Sequence, residues 1–174
     1  MKVGIISYSL TGNNEALAND LASIYKAEHI RISEVKWRSM GKTVRDLLFN
    51  RVPPIQFHFT EAASYDLILF VGPVWGGKAA TPFRGCFKQL QPIIENYAFV
   101  SISGGALGPN LKLQDDLEKR LKKPPVSVID LHITELLPQT PKPRAADTSA
   151  YRITKDDARK LTDAVVTKLR PLFG

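Results

Sequence analysis

Along this chain, short unbroken apolar runs alternate with longer stretches in which apolar residues recur every three or four positions. The first pattern marks strands buried on both faces of a sheet, the second amphipathic helices. Residues 2–8, rich in Val and Ile, predict a first strand. Leu17, Leu21 and Ile24 follow at i, i+4 and i+7 and predict a helix, capped by Asn13 or Asn14, with Glu15 in the first turn where the dipole favours an anion. Residues 27–33, in which Ile30 and Ile32 alternate with polar positions, predict a weaker second strand nearer a sheet edge. A moderate helical pattern over 40–49 stops at Pro53 and Pro54.

Residues 66–72, reading Asp-Leu-Ile-Leu-Phe-Val-Gly, give the clearest buried strand, the third. Thr81 then offers a cap and Pro82 a first helical position, which predicts a helix over 82–90. Residues 97–103 predict a fourth strand, and Leu113, Leu117 and Leu121 a helix whose basic end at 119–123 suits the dipole. Residues 126–133 predict a fifth strand. Three prolines within 138–149, without periodicity, predict a surface loop. Thr154 and Asp157 form a capping box ahead of a last helix, with Leu161, Val165, Leu169 and Leu172 along one face.

Strands alternating with helices imply right-handed crossovers and a doubly wound, five-stranded parallel α/β sheet with helices on both faces. At 174 residues the chain is expected to be a single domain over 1–174. Its composition, 44% hydrophobic and 24% charged, excludes global disorder. One cysteine, Cys86, excludes an internal disulfide framework, and no Cys or His pair has metal-ligand spacing. The expected compartment is a reducing cytoplasm. The longest apolar run, 67–75, is broken by Gly72 and Pro73 and is far short of a membrane span. The N-terminal apolar run is too short for a signal-peptide core, so export is not expected.

Ligands of such sheets sit beyond the carboxyl ends of the strands, where strand order reverses. After the first strand come Ser9, Leu10, Thr11, Gly12, Asn13 and Asn14, small and polar, turning directly into a helix. Their N–H groups, hydroxyls and amides suit a phosphate without any Lys or Arg, although the same residues also make an ordinary helix cap. After the third strand, Pro73, Val74, Trp75, Gly76, Gly77 and Lys78 set a Trp between a proline turn and two glycines. There it can offer its ring to a flat ligand, or else fold back on the core. After the fourth strand, Ser103, Gly104 and Gly105 begin a second Gly-rich loop.

At these residues the sequence resembles the flavodoxin family. Residues 8–14 are similar to the family's phosphate loop, an aromatic followed by Ser-x-Thr-Gly-Asn-Thr, and 65–87 to its second fingerprint, with Pro-Val-Trp after the third strand. The resemblance spans the whole chain. It implies a flavodoxin-like fold of strand order 2-1-3-4-5 that binds FMN non-covalently. Ser9, Thr11, Gly12, Asn13 and Asn14 would hold the phosphate. Pro73, Val74, Trp75 and Gly76 would lie along the isoalloxazine, and Ser103, Gly104 and Gly105 would approach its pyrimidine end. Two positions depart from the family: Asn14 replaces the usual Thr, and the loop after the fourth strand lacks the aromatic that often stacks on the second flavin face. That face would be open to a substrate or covered by another subunit of a homodimer.

Three roles stay open on this resemblance. The chain could be an FMN-dependent NAD(P)H oxidoreductase serving a quinone or related acceptor, a dedicated one-electron carrier, or a binding module that has lost FMN. Other folds fit less well. The spacing from Gly72 to Lys78 matches a P-loop, but Ala79 lacks the hydroxyl that holds Mg²⁺. A phosphoacceptor domain needs acids where Tyr8, Ser9 and Gly72 stand. The net charge of +7 comes without interleaved aromatics or a groove-reading helix, so nucleic acid is not an expected partner. An acidic redox partner or an anionic substrate suits it better. His29 and His132 read as satisfied sheet residues and Cys86 as a buried thiol, while Trp37, Arg38 and His58 have no assigned role beyond a reach of the first two toward the flavin edge.

Overall fold

A computed structural model describes residues 1–35, 45–46, 49–57 and 64–173. Five strands form the central sheet: β1 (Val3–Ser7), β2 (Glu28–Arg31), β3 (Leu67–Val71), β4 (Tyr97–Ser103) and β5 (Ser127–His132). They lie in the order β2-β1-β3-β4-β5, with every pairing parallel. The expected order 2-1-3-4-5 is therefore the observed one, and strand order reverses between β1 and β3. Every residue of β1, β3 and β4 is buried, as their unbroken apolar runs require.

Alternate residues of these strands feed two cores. On one face Ile5, Leu69 and Val100 pack with Leu17 and Leu21 of α1 (Asn13–Tyr25) and with Leu161, Val165 and Leu169 of α5 (Lys155–Leu169). On the other, Phe70 and Phe99 pack with Phe83 and Phe87 of α2 (Phe83–Leu90) and with Leu113, Leu117 and Leu121 of α3 (Leu113–Leu121). Cys86 is buried there, and its burial pushes the thiol pKa up. The capping box forms as expected: Asp157 N–H donates to Thr154 Oγ1 at 3.1 Å, and Thr154 N–H donates to Asp157 Oδ2 at 2.9 Å.

Several boundaries differ from the sequence expectation. Asn13 is the first helical residue of α1, not its cap; Gly12 takes that place at φ +91°. Ile24 is half-exposed, because α1 turns only Leu17, Ala18 and Leu21 fully onto the sheet. The second strand ends at Arg31, and Ser33–Glu34 instead pairs antiparallel with Ile55–Gln56. Thr81 does not cap α2; it is fully buried, and Pro82 precedes the first helical residue, Phe83. The predicted loop at 138–149 ends in a short helix, α4 (Ala145–Ala150), with Thr148 buried. Trp37, Arg38, His58 and most of the helix expected over 40–49 lie outside the described residues.

Candidate functional site

Parallel pairing carries the carboxyl ends of β1, β3 and β4 to one edge of the sheet, and the three loops singled out in the sequence leave from there. The first is short. Gly12 N–H donates to Ser9 Oγ at 3.0 Å, closing the loop, and α1 begins one residue later. The first-turn N–H groups have no helical carbonyl to bond, and the dipole adds partial positive charge there. Thr11 and Gly12 are exposed and Ser9 half-buried, so two hydroxyl-bearing residues directly precede this end of the helix.

The two asparagines do something else. Asn13 Nδ2 donates to the Tyr151 carbonyl at 3.1 Å, and Asn13 Oδ1 accepts from Ile153 N–H at 3.2 Å. Asn14 Nδ2 donates to the Ile102 carbonyl at 3.0 Å, and its Oδ1 accepts from Ile102 N–H at 2.8 Å. Both side chains are buried and committed to the chain's own backbone, which leaves their N–H groups, not their amides, to face an anion. The Asn13 bonds also tie the segment after α4 to the phosphate-type loop.

The second loop is a hairpin. Val74–Trp75 pairs with Lys78–Ala79 around Gly76 at φ +57° and Gly77 at φ +76°, a two-residue turn in which both central residues need the left-handed region. This turn holds Trp75 half-buried, its ring edge-on to Tyr8 with centroids 5.8 Å apart. The Trp thus rests against the core at one edge and stays partly open. Tyr8 is itself fixed by a 2.6 Å hydrogen bond from its hydroxyl to Glu34.

The third loop lies over a polar cluster on β5. Asp130 accepts from Ser101 and Ser103 hydroxyls, each at 3.0 Å, and from Asn110 Nδ2 at 2.8 Å, while His132 Nε2 lies 2.8 Å away. Burial acts to raise the Asp130 pKa, but hydrogen bonds from His132, Asn110 and Ser103, with the His132 charge, outweigh it and hold the carboxyl below its ordinary value. Gly105, at φ +76°, packs so closely on His132 that a Cβ there would stand 2.6 Å from the His132 Cβ. His132 and Asp130 therefore set the height of residues 104–110. Neither they nor Asn110 were read as contributors in the sequence, since nothing local links 110 to 130. His29 is satisfied as expected, its ring nitrogens 2.7 Å from Ser7 Oγ and 3.1 Å from Asn19 Oδ1.

Between the hairpin and the third loop lies a hollow of about 510 Å³. Val74, Gly76 and Gly77 line one side and Ser103, Gly104 and Gly105 the other, with Thr148 and Ser149 of α4 closing the end. Leu107 and Leu111 on the rim are 98% and 83% exposed, which leaves an apolar lip where the sequence has no aromatic. Lys78 faces away from this hollow and lines a second one, between α2 and α3. Among the described residues no His, Cys, Asp and Glu group could hold a metal ion, and no helix is long and apolar enough to cross a membrane.

Strand order and helical cover on both faces, with three loops leaving the carboxyl ends of β1, β3 and β4, define the flavodoxin-like fold. No family model and no curated protein matches the chain. Solved structures do. A flavoprotein of Lactobacillus acidophilus NCFM, in complex with FMN, matches with a TM-score of 0.65 at 24% identity, over 74% of this chain and 92% of that one. A candidate flavoprotein of Bacteroides eggerthii DSM 20697 matches with a TM-score of 0.66 at 13% identity, over 95% and 98%. Another, of Bacteroides uniformis ATCC 8492, gives 0.62 at 14%, over 82% and 98%.

Proposed function

We propose that the chain binds FMN non-covalently and moves electrons through it as the redox centre of an oxidoreductase. The observation that carries this reading is the hollow between Gly76–Gly77 and Gly104–Gly105, at the same carboxyl edge of the sheet from which the hydroxyl-bearing loop before α1 leaves. The residues present suit the group. Gly12 and Gly76 hold positive φ with nothing within 4 Å of a would-be Cβ, so a ligand can approach the backbone closely at both points.

Ser9 and Thr11 would hold the phosphate with the first-turn N–H groups of α1. Trp75, whose neighbours Val74 and Gly76 line the hollow while it does not, would meet the ring system from the hairpin, and backbone groups of 103–105 would meet its pyrimidine end. When bound, the flavin would supply two-electron redox chemistry between NADH or NADPH and an acceptor such as a quinone. The protein supplies orientation and field, and no side chain is required as acid or base. Enzyme is favoured over dedicated carrier by the rim of the hollow: Gly105 to Leu111 offers no bulky ring to close the second flavin face, and Leu107 and Leu111 stand open to an apolar acceptor.

Anaerobic mixing of the FMN-loaded chain with NADH and with NADPH tests the reading. Bleaching of the flavin band by either nucleotide, restored by added quinone, is expected. A flavin that neither nucleotide reduces, but that a separate flavodoxin reductase does, would replace the enzyme with a carrier.

A further inference from the structure

The second hollow, of about 720 Å³, lies between α2 and α3, on the far side of the Val74–Ala79 hairpin from the first. Sequence spacing alone makes the basic run at 119–123 a solvated helix end. The fold changes that by bringing lysines from elsewhere to the same concavity. Lys78 comes from the hairpin, Lys88 from α2, Lys112 from the loop before α3, and Lys119 and Lys122 from its end. All five are exposed, and none forms an ion pair among the described residues.

The remaining charges do not cancel them. Arg120 is taken up by Asp116, Nε to Oδ1 at 2.9 Å, which neutralises that pair. Arg84 forms the floor, buried, donating from Nη1 to the carbonyls of Asp46 and Arg51 at 2.7 Å each. Asp115 is the one other acid among the described lining residues. Seven bases against two acids leave a surplus of five, most of the chain's +7, on one small surface.

Lys112 is the telling member. It is the N-cap of α3, where the dipole repels a cation and where Ser, Thr, Asp or Asn would cap the helix; its side chain caps nothing. Lys119 has a dipole reason to sit where it does, and Lys112 does not. Like charges around a concavity repel one another, and low-dielectric walls focus their field on whatever enters.

We infer that this hollow is a binding site for a small molecule carrying a pyrophosphate or larger polyphosphate group. The volume falls within the roughly 300 to 1,000 Å³ of small-ligand sites, and convergent lysines on several elements suit a compact polyanion better than the flat face of a protein. Lys112 also lines the first hollow, so a ligand here borders the flavin-type site without needing it. The inference goes beyond the flavin reading and does not depend on it.

The test is calorimetric titration of the full chain with inorganic pyrophosphate and with Mg-free ATP, at ionic strength fixed by NaCl. Saturable binding is expected, weakened roughly tenfold in the double variant Lys88→Glu, Lys119→Glu, where attraction becomes repulsion at two of five positions. Both residues are exposed and outside the flavin-type site, so FMN affinity should persist in the variant, while its melting temperature falls slightly because each Glu stands in the last turn of a helix. A heat no different from that of added NaCl, or equal binding by variant and parent, overturns the inference. Tighter binding of a hexaglutamate peptide than of pyrophosphate also overturns it, in favour of a docking face for an acidic protein.

Discussion

The side-chain amide of Asn14 completes the backbone of Ile102 as a neighbouring strand would, giving one hydrogen bond and taking one at 3.0 and 2.8 Å. The reason lies in the sheet. Pairing of β3 with β4 ends at Val71 opposite Val100, and Gly72 N–H makes the last bond to Val100 before the chain turns away. Beyond that point β4 has no partner on this side, and α1 supplies one from its first turn. The residue that looked like a weakened phosphate ligand is a clamp between helix and sheet at the edge where the loops converge.

Replacing it should therefore cost stability first. Asn14→Ala leaves a buried donor and a buried acceptor without partners, at roughly 1 to 3 kcal/mol for each. Asn14→Thr, although it restores the residue common in flavodoxins, should also destabilise, because one hydroxyl cannot span both groups. Urea unfolding of the two variants checks this, and a Thr variant as stable as the parent would show that the clamp contributes little.

Thr11→Ala, by contrast, should leave stability unchanged, since Thr11 is exposed. It should weaken FMN by roughly 1 to 3 kcal/mol through a lost charge-assisted bond, and riboflavin hardly at all. Trp75→Ala should weaken both ligands alike. Fluorescence or calorimetric titration separates the two variants.

The glycines of the second and third loops should respond differently to a methyl group. At Gly76 the Cβ meets open space, so Gly76→Ala carries the backbone cost alone, about 1 to 2 kcal/mol. At Gly105 it meets His132 and Thr134, and both strain and displacement follow. Gly105→Ala should thus lower the melting temperature further and weaken FMN. Equal melting temperatures would mean that the third loop moves aside freely.

Acid should loosen the same loop. The Asp130 carboxyl is held below its ordinary value, so the folded chain binds that proton less readily than the unfolded one. Its contribution is present above the unfolded value of about 4 and is lost as pH falls through the lower folded value. Asp130→Asn lacks this contribution at every pH. The gap in melting temperature between parent and variant should be wide near neutrality and narrow below about pH 4, and a gap constant with pH would contradict the network.

The interior strands were legible because β1, β3 and β4 are apolar without interruption, and the two glycine loops because their composition punctuates the strand ends. The role of Asn14 was not legible, since its partner lies 88 positions away and Asn before a helix ordinarily signals a cap. The short helix α4 escaped for a related reason: three prolines mask it, and its burial depends on Thr148 meeting Gly104 across the edge. Lys78 belongs to the loop singled out after the third strand, yet it lines the hollow between α2 and α3 and not the one between the two glycine loops. Charge clusters are the least local feature of all. The run at 119–123 is visible in the sequence, but its company of Lys78, Lys88 and Lys112 exists only in the fold.

Titration of the purified chain with FMN, riboflavin and FAD, followed by flavin or Trp fluorescence, bears most directly on the whole account. The start of α1 is read as a terminal-phosphate site, and Thr148 and Ser149 of α4 line one end of the hollow. FMN should bind tightest, with riboflavin weaker for want of the phosphate and FAD weaker because its phosphate is not terminal. Equal affinities for all three, or no binding of FMN, would contradict it.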